Sequence, residues 1–395
     1  AQEALLEDLH TVLELLTSSL NELDRLRERR ARLEELKQDV RKLLDEQLEA
    51  LYRTQHARRQ AQRDNVAPGE PGEPAAQPPS ESPPPPESRE IRRLLEQLES
   101  LQREVHRRAV EVEQSMRPAR DGQPPTPGAE SMESARRSMR DAAEQFGRED
   151  PAAAEAEQRS ALDSLQETLD ALDDALRQVR QEEREETLAA LETRLRGLLS
   201  QERRVREAVA ELGAQPASEW TRLQELRLTE TRSLHADAIE QAEATLRILR
   251  DEGTTVIIPE LFAQMIEDMT QVAARLDAAD PSEPTGVLLD GIISQIEEIL
   301  DAVSQQRDRD ADADEQPPGE QPQQEQTPPL LPPSAELKLM RGVQVRLNER
   351  SVELMRRLEA ESADDAVAAL RDAFERIARR QLRLAEQARL MNERQ

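Results

Sequence analysis

The sequence contains no cysteine, which excludes disulfide staples, thiolate nucleophiles and cysteine-based zinc sites together. Aromatic side chains are almost as scarce. Trp220, Tyr52, Phe146, Phe262 and Phe374 are the whole set in 395 residues, so the usual large core anchors are missing and Leu and Ala must supply the burial. No run comes near the roughly 18 apolar residues that a bilayer-spanning helix needs. The phosphate cradles GxGxxG and GxxxxGK(S/T) and the nucleophile elbow GxSxG are absent. The four histidines, His10, His56, His106 and His235, sit alone, none in HExxH spacing. Positive charge is in deficit too, with 54 Lys and Arg against 82 Asp and Glu and a net charge of −28. Binding a nucleic-acid backbone needs clustered cations that release counterions, so nucleic acid is a poor partner.

What is present is a chain that is 34 % charged and rich in Ala, Glu, Leu and Arg. That composition belongs to long helices packed along narrow apolar seams. The expected fold class is all-α, an elongated coiled coil or long helical hairpins with disordered Pro-rich linkers. The charge is uneven. Residues 251–334 hold nineteen acidic side chains against Arg275, Arg307 and Arg309, whereas residues 335–395 hold thirteen basic and eleven acidic ones.

Periodicity divides the chain. An N-terminal coiled-coil helix is expected over 1–63, with Leu6, Leu9, Leu13, Leu16, Leu20 and Leu23 three and four apart and the pattern resuming at Leu33, Leu36, Val40 and Leu43. A Pro-rich linker follows over 64–88, where so many missing donors and fixed φ angles rule out helix and sheet. A short helix spans 89–117, a Pro/Gly linker 118–129, and a long helical spine 130–253. Within the spine, Asp150 and Pro151 read as N-cap and first helical residue. Leu162, Leu165, Leu169, Leu172, Leu176, Leu188, Leu191 and Leu195 form the clearest packing seam, and Gly213 then Pro216 form its stop signal.

Residues 254–305 read as a small acidic helical block, the best candidate for a compact docking unit, opened by a β-branched run from Thr254 to Ile258 that Pro259 stops and that reads as an extended lid or a single edge strand. Residues 306–333 read as an acidic, Pro/Gln-rich disordered linker. Residues 334–395 read as a C-terminal helical hairpin, broken near Glu361 to Ala363.

Candidate chemistry reduces to blander readings. Asp308, Asp310, Asp312 and Asp314 alternate like a calcium loop, but Ala313 stands where the turn needs Gly and Gly319 where the bidentate Glu belongs. The EE and DD runs lie among arginines, as i to i+4 pairing on exposed helix faces requires. No catalytic, cofactor-binding or metal residue is assigned, and no cofactor or small-molecule ligand is expected.

Three stretches, REDPAAAEAEQRSALDSLQETLDAL, DEGTTVIIPELFAQMIEDMTQVAARL and AELKLMRGVQVRLNERS, resemble exported, Pro-interrupted coiled-coil proteins of planctomycete-type bacteria. The resemblance covers roughly residues 130–395. It implies an exported helical protein without an assigned biochemical role. The N-terminal Ala-Gln-Glu fits a mature end left by a signal peptidase, so an extracytoplasmic location, periplasmic or secreted, is expected.

These readings point to a non-enzymatic structural or scaffolding protein acting by helix–helix association, its partner a protein or a second copy. An adaptor is the alternative, docking a protein through 254–303 with Val256, Ile257, Ile258 and Phe262 as contact residues. A third reading is a peripheral membrane or anionic-polymer binder using the Arg-rich C-terminal helices, Arg356, Arg357, Arg379, Arg380 and Arg383 among them. Membrane contact is the less favoured of these expectations, because pairing with the acidic middle satisfies the same arginines.

Overall fold

The computed structural model describes residues 2–64, 86–117, 125–255, 257–314, 329–360 and 364–394. The protein is all-α. Among the described residues there are nine α-helices: α1 (Gln2–Asp64), α2 (Pro86–Met116), α3 (Ala129–Gly147), α4 (Pro151–Leu212), α5 (Arg222–Glu252), α6 (Ile257–Asp277), α7 (Glu283–Asp314), α8 (Pro333–Ala360) and α9 (Asp364–Arg394). The chain divides into two compact units, Asn21–Glu183 and Arg184–Gln395 with Ala1–Leu20, called here the N-terminal and C-terminal units.

The N-terminal unit is an up-down-up-down four-helix bundle, and its cross-helix pairs fix the directions. Lys37 meets Asp173 and Arg58 meets Glu155, so α1 and α4 run antiparallel. Arg108 with Glu46 and Arg32 with the Ser115 carbonyl (3.1 Å) do the same for α1 and α2. Arg136 with Glu113 and Arg92 with Glu149 (3.0 Å) align α2 with α3, and Ser138 with Ser160 aligns α3 with α4. The interior is built from Leu33, Leu36, Val40 and Leu43 of α1, Val105 and Ala109 of α2, Met132, Ala135 and Met139 of α3, and Leu165 to Val179 of α4. Ala and Met stand where aromatics are lacking, and the small side chains let helix axes approach closely.

In the C-terminal unit α4, α5, α6 and α7 surround one apolar interior, against which α8 and α9 pack as a hairpin. Arg206 to Asp290 (2.8 Å) and Arg307 to Glu192 set α4 antiparallel to α7. Gln295 of α7 donates to the Leu261 carbonyl of α6 (2.7 Å), and Arg346 of α8 pairs with Glu298 of α7.

Local signals explain the helix limits. Asp150 caps α4, its Oδ1 accepting from the backbone N–H of Ala152 and Ala153 at 3.1 and 3.0 Å. Gly253 ends α5 at φ 72°, a left-handed value that glycine adopts without a Cβ clash. The region before α5 is tighter than periodicity suggests: Ala217–Glu219 is a 3-10 turn and Trp220 is extended, its indole N–H donating to the Gln215 carbonyl (3.2 Å).

Two expectations are corrected. The β-branched run is not an extended lid, because α6 already begins at Ile257 and Pro259 falls in its first turn, where a missing N–H costs nothing. The 254–305 block has no core of its own; α6 and α7 contribute to the interior shared by α4, α5, α8 and α9. Helix α7 also continues through Asp314, nine residues into the stretch read as linker, and Leu330 and Leu331 of that stretch are buried in the same interior. The backbone N–H of Leu330 donates to Thr254 Oγ1 (3.0 Å). The remaining linker readings, at 65–85, 118–124 and 315–328, and the break at 361–363, lie outside the described residues.

Candidate functional site: polar groups set into the helical seams

The expected packing seam sits inside the bundles. Leu165, Leu169, Leu172 and Leu176 are buried in the N-terminal unit, Leu188, Leu191 and Leu195 in the C-terminal unit, and Leu162 is half-buried. The residues expected to dock a partner are placed otherwise. Ile257, Ile258 and Phe262 are 1, 0 and 0 % exposed; the helix that replaces the expected extended run turns them into the shared interior. Val256 lies outside the described residues.

The informative residues are those that interrupt the apolar stripes. On α1, Val40 and Leu43 are followed by Gln47 and Ala50. On α2, Leu95 and Leu98 are followed by Gln102, Val105 and Ala109; on α4, Ala154 is followed by Gln158, Ala161 and Leu165. All three glutamines are buried. They form a chain across the N-terminal bundle, Gln102 Nε2 donating to Gln47 Oε1 (2.9 Å) and Gln158 Nε2 to Gln102 Oε1 (2.8 Å). Gln47 Nε2 and Gln158 Oε1 at its two ends are buried without a hydrogen-bond partner.

The C-terminal unit uses charge instead. Glu202 follows Leu198 on α4 and His235 follows Leu228 and Thr231 on α5, and both side chains are completely buried. His235 Nδ1 lies 3.0 Å from Glu202 Oε1, and Nε2 lies 2.8 Å from the Met269 carbonyl of α6. Two acceptors facing two ring nitrogens call for a donor at each, the pattern of an imidazolium. Burial opposes that charge, but the Glu202 carboxylate and the Met269 carbonyl overcome it and hold the His235 pKa above its ordinary 6.5. Glu202 Oε2 has no hydrogen-bond partner. A lone periodic scan misses this pair because the two residues are on different helices.

A second ionic cluster ties α9 to α6. Arg380 is buried and grips Asp268 with two bonds of 2.8 Å; it also reaches Glu267 and the Gln264 carbonyl, each at 3.3 Å. Arg383 pairs with Glu267 (2.8 Å) and Glu260 (3.2 Å), and Arg350 of α8 stands 3.5 Å from Asp268. Burial lowers the Arg350 pKa; for Arg380 burial acts the same way, but the planar fork on Asp268 reverses it and the pKa is raised. Of the other arginines singled out in the tail, Arg379 is exposed and faces Glu375, Arg356 is exposed beside Glu353, and the side chain of Arg357 lies outside the described residues.

These groups are neutralised or sealed within the fold. The His235–Glu202 pair has no exposed surface. Among the described residues no three His, Asp or Glu side chains are grouped to hold a metal ion, and no helix is long and apolar enough to cross a membrane. The grooves between helices are open and shallow. One between α1 and α2 is lined by Tyr52, His56, Leu94, Leu98 and Leu101, another between α7 and α8 by Glu298, Asp301, Arg309 and Lys338.

Comparison with known proteins gives one family. No curated protein and no solved structure matches the chain. The family model described as domain of unknown function DUF4175 matches residues 1–207, which takes in α1, α2, α3 and nearly all of α4. With more than half of its length matched, this chain belongs to the DUF4175 family.

Proposed function

We propose that the protein is a non-enzymatic scaffold that works by helix–helix association, in an extracytoplasmic compartment. One observation carries this reading: a single unbroken helix of 62 residues, α4, gives its apolar stripe first to one bundle and then to the other. A helix that serves two interiors suits a part whose task is to hold segments in place. The buried polar groups support the same reading, since each is engaged by another helix of the chain.

The adaptor reading is less well supported, because Ile257, Ile258 and Phe262 are interior residues. The anionic-surface reading loses Arg380 and Arg383 to Glu260, Glu267 and Asp268. Photo-crosslinking from exposed helix faces in the native cell tests the scaffold. A partner recovered in fixed ratio, or a second copy, supports it; no crosslinked species from any face sinks it. Fractionation of the same cells reads the compartment, and recovery with the cytoplasmic fraction overturns that part.

A further inference from the structure

Helix α8 carries two apolar faces. Leu339, Val343 and Leu347 turn into the C-terminal unit and are buried. On the opposite side Val345, Val352 and Met355 are 47, 51 and 50 % exposed, with Leu337 at their edge. The outer face is ordered, not scattered. Lys338, Arg341, Val345, Asn348, Val352, Met355 and Glu359 follow one another at alternating intervals of three and four, the spacing of a coiled-coil seam. All seven are exposed, and no other described segment covers them.

We propose that this outer face of α8 is a self-association surface, and that a second copy of the chain packs on it antiparallel. The charges choose the occupant and the direction. Arg341 and Glu359 flank the apolar centre with opposite signs, both are exposed, and among the described residues neither has an ion-pair partner. In an antiparallel pair centred on Arg350, Val345 faces the partner's Met355, Asn348 faces the partner's Val352, and Arg341 faces the partner's Glu359, each twice by symmetry. A parallel pair instead sets Arg341 against Arg341 and Glu359 against Glu359. Asn348 accepts from Gln344 within its own helix (3.0 Å) and tolerates a half-wet layer. The stripe is short, so the contact falls in the small, reversible class below about 1,200 Å² of total buried surface.

The proposal rests on the scaffold reading, and its test separates the two. Sedimentation of the full chain over a concentration series is expected to show a reversible monomer–dimer equilibrium. Val352→Glu should weaken it by about tenfold or more, the effect of spoiling a central interface side chain, with helical circular dichroism unchanged because Val352 is already half-exposed. Arg341→Glu and Glu359→Arg should each weaken it, and the two together should restore it.

The natural absence of cysteine permits a direct reading of direction. Positions 345 and 355 are about 15 Å apart along one helix, beyond disulfide reach. Val345→Cys with Met355→Cys should therefore crosslink only between copies, and faster than Val345→Cys alone. Faster crosslinking by the single variant, or a chain monomeric throughout, overturns the proposal. A dimer indifferent to Val352→Glu also overturns it, yet leaves the scaffold standing on another surface.

Discussion

The two units solve one problem with different chemistry. Each has polar residues set into otherwise apolar seams: the N-terminal unit crosses its interior with uncharged amides, Gln47, Gln102 and Gln158, and holds one buried carboxylate, Glu155, against Arg58, whereas the C-terminal unit relies on the ionic pairs of His235 with Glu202 and Arg380 with Asp268. An amide chain with unpaired ends costs a bounded desolvation penalty. A buried charge whose partner is removed costs more, because nothing solvates what remains. Both devices disfavour a slipped register, since sliding a helix by one turn sets a polar group against Leu or Ala. The C-terminal unit is therefore the more sensitive to the loss of a single partner.

The largest effect should follow from Arg380→Met. Asp268 is then left almost buried without its main cation, and about 3–5 kcal/mol of the C-terminal unit's stability should disappear. Denaturant melts followed by probes in each unit check this; a loss under 1 kcal/mol, or one shared equally by both units, breaks the comparison.

Next is Gln102→Leu, which strands Gln47 Oε1 and Gln158 Nε2 in the N-terminal interior and should cost about 1–3 kcal/mol there. Converting all three glutamines to Leu should recover much of that loss, and multiplied amide peaks in NMR spectra would report the lost register.

The pH dependence should differ in sign between the units. The folded-state pKa of His235 is raised, so its contribution is fully present below 6.5 and is lost as pH rises through the folded value. In the N-terminal unit burial, followed by Arg136 and Arg140, lowers the His106 pKa, so stability falls as pH drops through 6.5. Glu113 and Glu155 add to this at lower pH. Burial raises them, but Arg117 and Arg136 outweigh it at Glu113 and Arg58 and Arg159 at Glu155, leaving both below 4.5. Unit-resolved melting across pH 4 to 9 should therefore show the C-terminal unit weakening toward alkali and the N-terminal unit toward acid. The alkaline slope should vanish when His235 and Glu202 are both replaced by Leu.

The smallest effect belongs to the exposed pairs. Arg107→Ala removes its bond to Glu111, with both side chains mostly in solvent, and should change stability by less than about 1 kcal/mol.

Much of this architecture is legible in one dimension. The limits of α4 follow from Asp150, Pro151 and Gly213, and its stripe from leucines three and four apart, because caps and seams are local properties. The run from Thr254 to Ile258 misleads for the same reason: β-branched residues favour strands in isolation, and burial against five other helices outweighs that preference. The buried pairs are long-range. Glu202 and His235 are 33 residues apart and Arg380 and Asp268 are 112 apart, so no window of sequence contains both partners. A trace remains in the pattern, since a Glu, His or Gln at a position where the stripe demands Leu marks a polar group that a neighbouring helix must satisfy.

The docked pair Leu330 and Leu331 has a consequence for chain continuity. Both lie in the interior to which α7 and α8 also belong, so the polypeptide on either side of residues 315–328 is held by packing rather than by the peptide bonds between. A chain severed there should stay together as two interlocked fragments, and the same point is where the gene could be divided and the halves co-expressed to reconstitute the whole.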